Sequence, residues 1–155
     1  MLSFITIVLV IYGLFLISGI LFPNDSQWYA TVKTPSWAPS GQLIGMVWAF
    51  LYACIAVSVA IVYTRTSGFT DIGIGWIAAV TTNYLFNQAY PFFLFKAKNL
   101  ELAFLDCFAV AATTCWLIIM TLPYSKFAAW LLVPYLVWSC FATLLSWVIL
   151  QLNRS

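Results

Sequence analysis

The residues able to do chemistry in this 155-residue chain are few, and most of them are aromatic or amidic. Histidine is absent and only four acids occur, Asp25, Asp71, Glu101 and Asp106. That removes the commonest ligand of zinc and haem and the usual base of a nucleophilic triad, so hydrolytic and metal-dependent chemistry find no site. What remains is flat surface and hydrogen bonding. In "GMVWAFLY" Trp48 and Tyr52 lie four apart on one helix face; in "WLLVPYLVWSCFA" Trp130, Pro134, Trp138 and Ala142 repeat at the same spacing. A deep indole offers an apolar plane and one N–H donor, suited to stacking a planar ligand and holding one polar edge.

The amides cluster in "NYLFNQAYPFF", where Asn83, Asn87 and Gln88 stand in an otherwise apolar run that also contains Tyr90. Pro91 lacks an N–H, leaves the carbonyl of Asn87 without its helical partner and favours a kink there. Two compatible roles fit these residues: hydrogen bonds between helices, each worth on the order of 1 kcal/mol, or contacts to a ligand. Asp106, in "ELAFLDCFAV", is a charge at bilayer depth; its place near a helix start favours a structural partner such as Lys96 or Lys98, or a helix-end contact, over a proton or ligand role.

The elements that position these groups are set by hydrophobicity. The chain is 65% hydrophobic and 6% charged, with a mean hydropathy of +1.02; a soluble domain carries roughly a quarter charged residues. Apolar runs of about 20 residues fit helices crossing roughly 30 Å of hydrocarbon, not the shorter alternating strands of a barrel. An all-α integral membrane protein follows, one domain over 1–155, with five transmembrane helices expected near 2–22, 43–63, 72–95, 100–122 and 127–150 and a long loop at 23–42. The first run has no basic segment before it and reads as a retained span, not a cleaved signal. The short later links predict antiparallel neighbours in a compact bundle. Cys54, Cys107, Cys115 and Cys140 lie singly in apolar runs and read as packing residues.

An odd number of spans places Lys33, Lys96, Lys98 and Arg154 on the side of the C-terminus and Arg65 and Lys126 on the other, which favours a cytoplasmic C-terminus. The scattered basic residues make no nucleic-acid footprint. Gly75 with Ala79, and Ala78 with Thr82, are small residues four apart in the third span, fitted to close contact within the bundle or in a homodimer.

The motifs "WYATVKTPSWAPS", "GMVWAFLY", "SGFTD", "LFNQAYPFFLF", "LAFLDC" and "AAWLLVPYLVWSCFATLLSWVI" follow one another in register from Trp28 onward. In this the chain resembles the tryptophan-rich sensory protein / translocator protein (TspO/MBR) family, the peripheral-type benzodiazepine receptors, and among them the bacterial, bacillus-like members of the plasma membrane. The resemblance implies a five-helix bundle, commonly dimeric, that binds porphyrins such as protoporphyrin IX and isoquinoline or benzodiazepine-type hydrophobic molecules, possessing no cofactor of its own and transporting or sensing what it binds. It makes the first loop a lid, with Trp28, Tyr29, Pro35, Trp37 and Pro39 covering the pocket, held by few buried contacts and therefore mobile when empty. It makes Trp48 and Trp138 paired pocket indoles, implicated in light-dependent porphyrin breakdown, and Asn87 a pocket-lining amide.

Two departures modify the resemblance. Members with "NWAW" have indoles where this chain has Gln88 and Tyr90, so this pocket is expected to be more polar. The Leu/Val–Tyr–Lys/Arg pattern tied to sterols in animal members is missing before Arg154 and recurs elsewhere without discrimination, so sterol binding has no support. Three functions are therefore carried forward: binding and transport of a tetrapyrrole, its light-dependent oxidative degradation, and a structural or regulatory role beside another membrane protein.

Overall fold

The computed structural model describes residues 2–154, and all regular structure among them is helical. The elements are α1 (Phe4–Leu21), the short α2 (Ser26–Tyr29), α3 (Gly41–Arg65), α4 (Ile74–Pro91), α5 (Leu100–Thr121), α6 (Lys126–Leu131) and α7 (Val133–Leu152). Polar side chains start most of them. Ser3, Asp25, Ser40, Asn99 and Ser125 each accept a hydrogen bond from an otherwise orphaned backbone N–H of the first turn.

Four helical stretches are long and apolar enough to cross a membrane among the described residues: Phe4–Leu21, Gly41–Arg65, Leu100–Thr121 and Lys126–Leu152. α4 falls outside this group because Asn83, Asn87 and Gln88 dilute its apolar residues. It is nonetheless packed along α5 and against α1. The remaining contacts close a ring, with α1 against α3, α5 against α7, and α6 and α7 back against α3. Phe15, Leu51, Ile55, Val59, Val62, Trp76, Val110, Leu117 and Tyr135 fill its middle. Large side chains such as Ile5, Leu9, Ile20 and Phe108 point outward, as lipid-facing positions do.

The ring corrects the expectation that every pair of sequential helices lies side by side. α1 intervenes between α3 and α4. The link over 66–73 allows this: eight residues reach up to about 26 Å when extended. It is also folded on itself, since Ser67, Gly68 and Phe69 all have positive φ, and Phe69 turns inward onto Tyr63 and Trp76, with ring centres 5.0 and 5.6 Å away.

Both prolines act, though not as uniform kinks. Pro91 ends α4, and the chain passes into a single π-helical turn, Phe92–Lys96. Before Pro134 the fifth apolar stretch is interrupted for one residue at Leu132, which keeps near-helical dihedrals but whose N–H donates to the Ala129 carbonyl at 3.1 Å; Pro134 then sits in the first turn of α7, where its missing N–H is not needed. Of the two small-residue pairs on α4, Gly75 with Ala79 is used inside the bundle: Ala79 is fully buried, and a Cβ at Gly75 would stand 3.3 Å from the Met120 sulfur of α5.

The two ends of the bundle are tied by different residues. At one, Tyr63 accepts from Leu2 N–H at 3.0 Å and Tyr124 accepts from Gly73 N–H at 2.8 Å. At the other, Lys98 pairs with Asp25 at 2.9 Å and Arg154 with Glu101 at 3.7 Å. The first loop, the α4–α5 link and the end of α7 thus share one end.

Candidate ligand site

A polar seam runs across the bundle from α1 to α5. The Gln88 side chain engages the backbone of α1 in both directions, its Oε1 accepting from Ser18 N–H at 2.9 Å and its Nε2 donating to the Phe15 carbonyl at 3.3 Å. Nε2 also donates to Asn87 Oδ1 at 3.2 Å. Asn87 Nδ2 donates to the Tyr135 hydroxyl at 3.0 Å, and that hydroxyl donates to Asn83 Oδ1 at 3.2 Å. Asn83 Nδ2 completes the seam on α5, with Thr113 and Thr114 hydroxyls at 3.0 and 2.9 Å. Helical spacing explains why one strip of α4 serves both neighbours: Asn83 and Asn87 are four apart and face inward, and Gln88 is turned toward α1.

Aromatic rings line this seam. Trp48 lies 5.5 Å from Tyr52 and 6.0 Å from Tyr135, and Tyr52 lies 5.2 Å from Phe15. Trp138, one turn beyond Tyr135, packs on the same core cluster and stacks on Phe141 at 5.2 Å; Phe141 in turn meets Trp37 of the first loop at 6.1 Å. The indole N–H of Trp138 is buried without a hydrogen-bond partner among the described residues. A buried donor left unpaired is costly, so it marks a place where a ligand acceptor is welcome. Ala142 continues the half-buried side of α7 beyond Trp138. Trp130 does not share this face: the interruption at Leu132 separates it from Trp138, and it is 69% exposed.

The loop residues divide between two places. Trp37 approaches the indole side of α7 as described, while Pro35 is half-buried and opens a turn closed by Ala38 N–H on its carbonyl at 3.0 Å. Trp28 and Tyr29 form α2, with Lys98 Nζ 5.6 Å above the Trp28 ring and Tyr29 6.3 Å from Phe95. Tyr29 and Tyr90 line a separate small pocket with Leu94, Ala103 and Ser146. No residue of the loop is fully buried, as expected, yet polar contacts pin it at Asp25 and at Lys33.

Asp106 departs from expectation. Lys98 is engaged by Asp25, and the Asp106 carboxylate is buried with neither oxygen partnered among the described residues. Tyr135, Phe141 and Asn153 were not singled out in the sequence. Tyr135 carried one usable signal, a lone hydroxyl beside a proline in an apolar run; Phe141 carried none.

Inward amides, half-buried indoles in tilted and edge-on ring contacts, and an aromatic loop at one end of the helical bundle have counterparts among known proteins. The TspO/MBR family model matches residues 4–152. The chain belongs to the TspO/MBR family. It is 48% identical over 151 residues to the tryptophan-rich protein TspO of Bacillus cereus, covering 97% of each chain. To the uncharacterized membrane protein YtaB of Bacillus subtilis it is 44% identical, covering 96% of this chain and 95% of the other. The human translocator protein is more distant, 29% identical over 92% of this chain and 84% of its own length. The protein is therefore an integral membrane protein of this family, receptor- or translocator-like in class, with homologues in bacilli.

Proposed function

We propose that this protein binds porphyrins, protoporphyrin IX above all, and other flat hydrophobic molecules between the Trp48–Tyr52–Tyr135 wall and Trp138, with the first loop as a lid, and that it passes them across or along the membrane. The observation that carries the reading is Trp138: a half-buried indole whose N–H is buried without a partner among the described residues, one turn from a tyrosine that Trp48 flanks. The plane suits stacking and the free donor suits one acceptor on the ligand edge. Family membership supports the same class of ligand.

In this reading α4 is a fifth crossing helix whose polar strip is hidden inside the ring. The alternation of tied ends agrees with it, since successive long helices end at opposite sides. The C-terminus and the lid then face the cytoplasm, in a bacterial plasma membrane, because that end holds Lys33, Lys96, Lys98 and Arg154. A homodimer contact through α4 falls on its outward row, Ile77, Thr81 and Leu85, since Gly75 and Ala79 are used internally.

Tryptophan quenching during titration with protoporphyrin IX tests the reading. Saturable quenching weakened by Trp138→Phe is expected; unsaturable quenching, or quenching indifferent to that change, would sink it. A second reading is light-dependent cleavage of the bound porphyrin by dissolved dioxygen, the oxidant, whose two oxygen atoms end on the two carbons of the broken bridge; the closeness of Trp48 to Tyr135 favours it, since these rings can lend an electron to the excited ligand and take it back as the oxygen adduct opens. Illumination should then yield an open-chain chromophore that Trp48→Phe and Trp138→Phe abolish while binding persists, and albumin carrying the same porphyrin should yield none.

A further inference from the structure

The end of the bundle beneath the first loop contains two devices that stacking among the indoles does not require. The first follows α4. After the π-helical turn Phe92–Lys96 the chain leaves through Lys98, whose φ of 52° lies in the left-handed region, a conformation that a residue with a side chain adopts only when its surroundings hold it. The holding bonds are Ala97 N–H to the Phe92 carbonyl at 2.8 Å and Asn99 N–H to the Phe93 carbonyl at 3.0 Å. So held, Lys98 meets Asp25 at 2.9 Å and covers the Trp28 ring at 5.6 Å. Asp25 in turn caps α2 by accepting from Trp28 N–H at 3.0 Å. One ammonium therefore grips both the cap and the first aromatic residue of the loop.

The second device is Asn153, just past α7. Its Oδ1 accepts from the backbone N–H of Lys33 at 3.0 Å, and its Nδ2 donates to the backbone carbonyl of the same residue at 2.8 Å and to the Ile149 carbonyl at 2.8 Å. A single primary amide thus takes both backbone groups of one loop residue, as a neighbouring strand would, and fastens them to the last turn of a spanning helix. An aspartate of the same size lacks the donors for either carbonyl.

We propose that Lys98 and Asn153 form a two-point clasp on the first loop, and that release of this clasp sets the rate at which a bound ligand leaves. The inference rests on the reading of the loop as a lid over an intrabundle ligand. No loop residue is fully buried, so the polar contacts at Asp25 and at Lys33 add to partly buried aromatic contacts in keeping the loop seated. Lys98 and Asn153 act as positioning residues and touch no ligand.

The test uses the full chain in lipid nanodiscs, preloaded with protoporphyrin IX, with release followed by stopped flow and loop seating followed separately by amide hydrogen exchange without ligand. Asn153→Ala and Asn153→Asp should each speed release about fivefold, the loss of one or two hydrogen bonds. Lys98→Gln should speed it about twofold, as an exposed ion pair allows, and should abolish the acceleration that added salt produces in the wild type. Lys96→Gln removes a neighbouring charge outside the clasp and should leave release unchanged. Exchange over the loop should rise in the same order while the helices keep their protection. Saturable binding with wild-type release in both Asn153→Ala and Lys98→Gln would overturn the clasp alone, as would equal acceleration by Asn153→Ala and Lys96→Gln. Absence of saturable binding by the wild type would overturn the ligand reading, and the role of the clasp in release with it.

Discussion

The side-chain amide of Asn87 donates to the Tyr135 hydroxyl at 3.0 Å, tying α4 to α7 through the middle of the ring. In lipid no hydrophobic force draws helices together, so packing and such bonds hold the bundle, and Tyr135 serves two of them.

Tyr135→Phe keeps the ring against Trp48 but orphans groups on both Asn83 and Asn87. Thermal unfolding in detergent should show a loss of about 1–2 kcal/mol. A melting temperature equal to wild type would mean that water or lipid replaces the hydroxyl at no cost.

The two tryptophans of the last apolar stretch should behave oppositely. Trp138→Phe removes the unpaired donor and should weaken porphyrin binding about five- to tenfold. Trp130 faces outward, and Trp130→Phe should leave affinity alone. Equal effects would place the ligand outside the ring.

Asp106 makes no hydrogen bond among the described residues, so Asp106→Asn breaks none. Stability should fall by no more than about 0.5 kcal/mol, and a gain is consistent with removing a charge from a buried position. A loss of several kcal/mol would reveal a partner that forms only in the membrane.

The backbone N–H of Trp28, and after it Lys98, hold the Asp25 carboxyl below its ordinary value of 3.8. A depressed pKa adds its stabilisation above the unfolded value and loses it as pH falls through the folded one. The hold on α2 should therefore be constant through neutral and mildly acidic pH and weaken only below about 3.8. Carboxyl carbon NMR should place the midpoint of Asp25 below that value, and Lys98→Gln should recover part of the shift, because the Trp28 N–H remains. A midpoint at or above 3.8 in the wild type would contradict both contacts.

Much of this protein was legible in the chain itself. Hydropathy alone marked four of the five expected spans, since roughly 30 Å of hydrocarbon demands apolar runs of a set length, and it does not mark α4. Spacing placed Trp48 beside Tyr52 and put Asn83 and Asn87 on one side of α4, because the 3.6-residue period fixes which side chains share a face. Local rules also read the proline at 91 as an interruption. What they could not supply was the partner across each face. Gln88 turns to α1 and not α3 because the eight-residue link lets α1 come between α3 and α4. Trp130 parts from Trp138 because the helix is interrupted at Leu132. Lys98 meets Asp25 and leaves Asp106 alone because a left-handed turn after a π-helical one aims it at the first loop. The Gln88 bond to α1 joins residues 70 positions apart and the Asn153 bond to Lys33 residues 120 apart; such contacts are settled by the order of helices around the ring and by which polar groups find one another, and no local period encodes either.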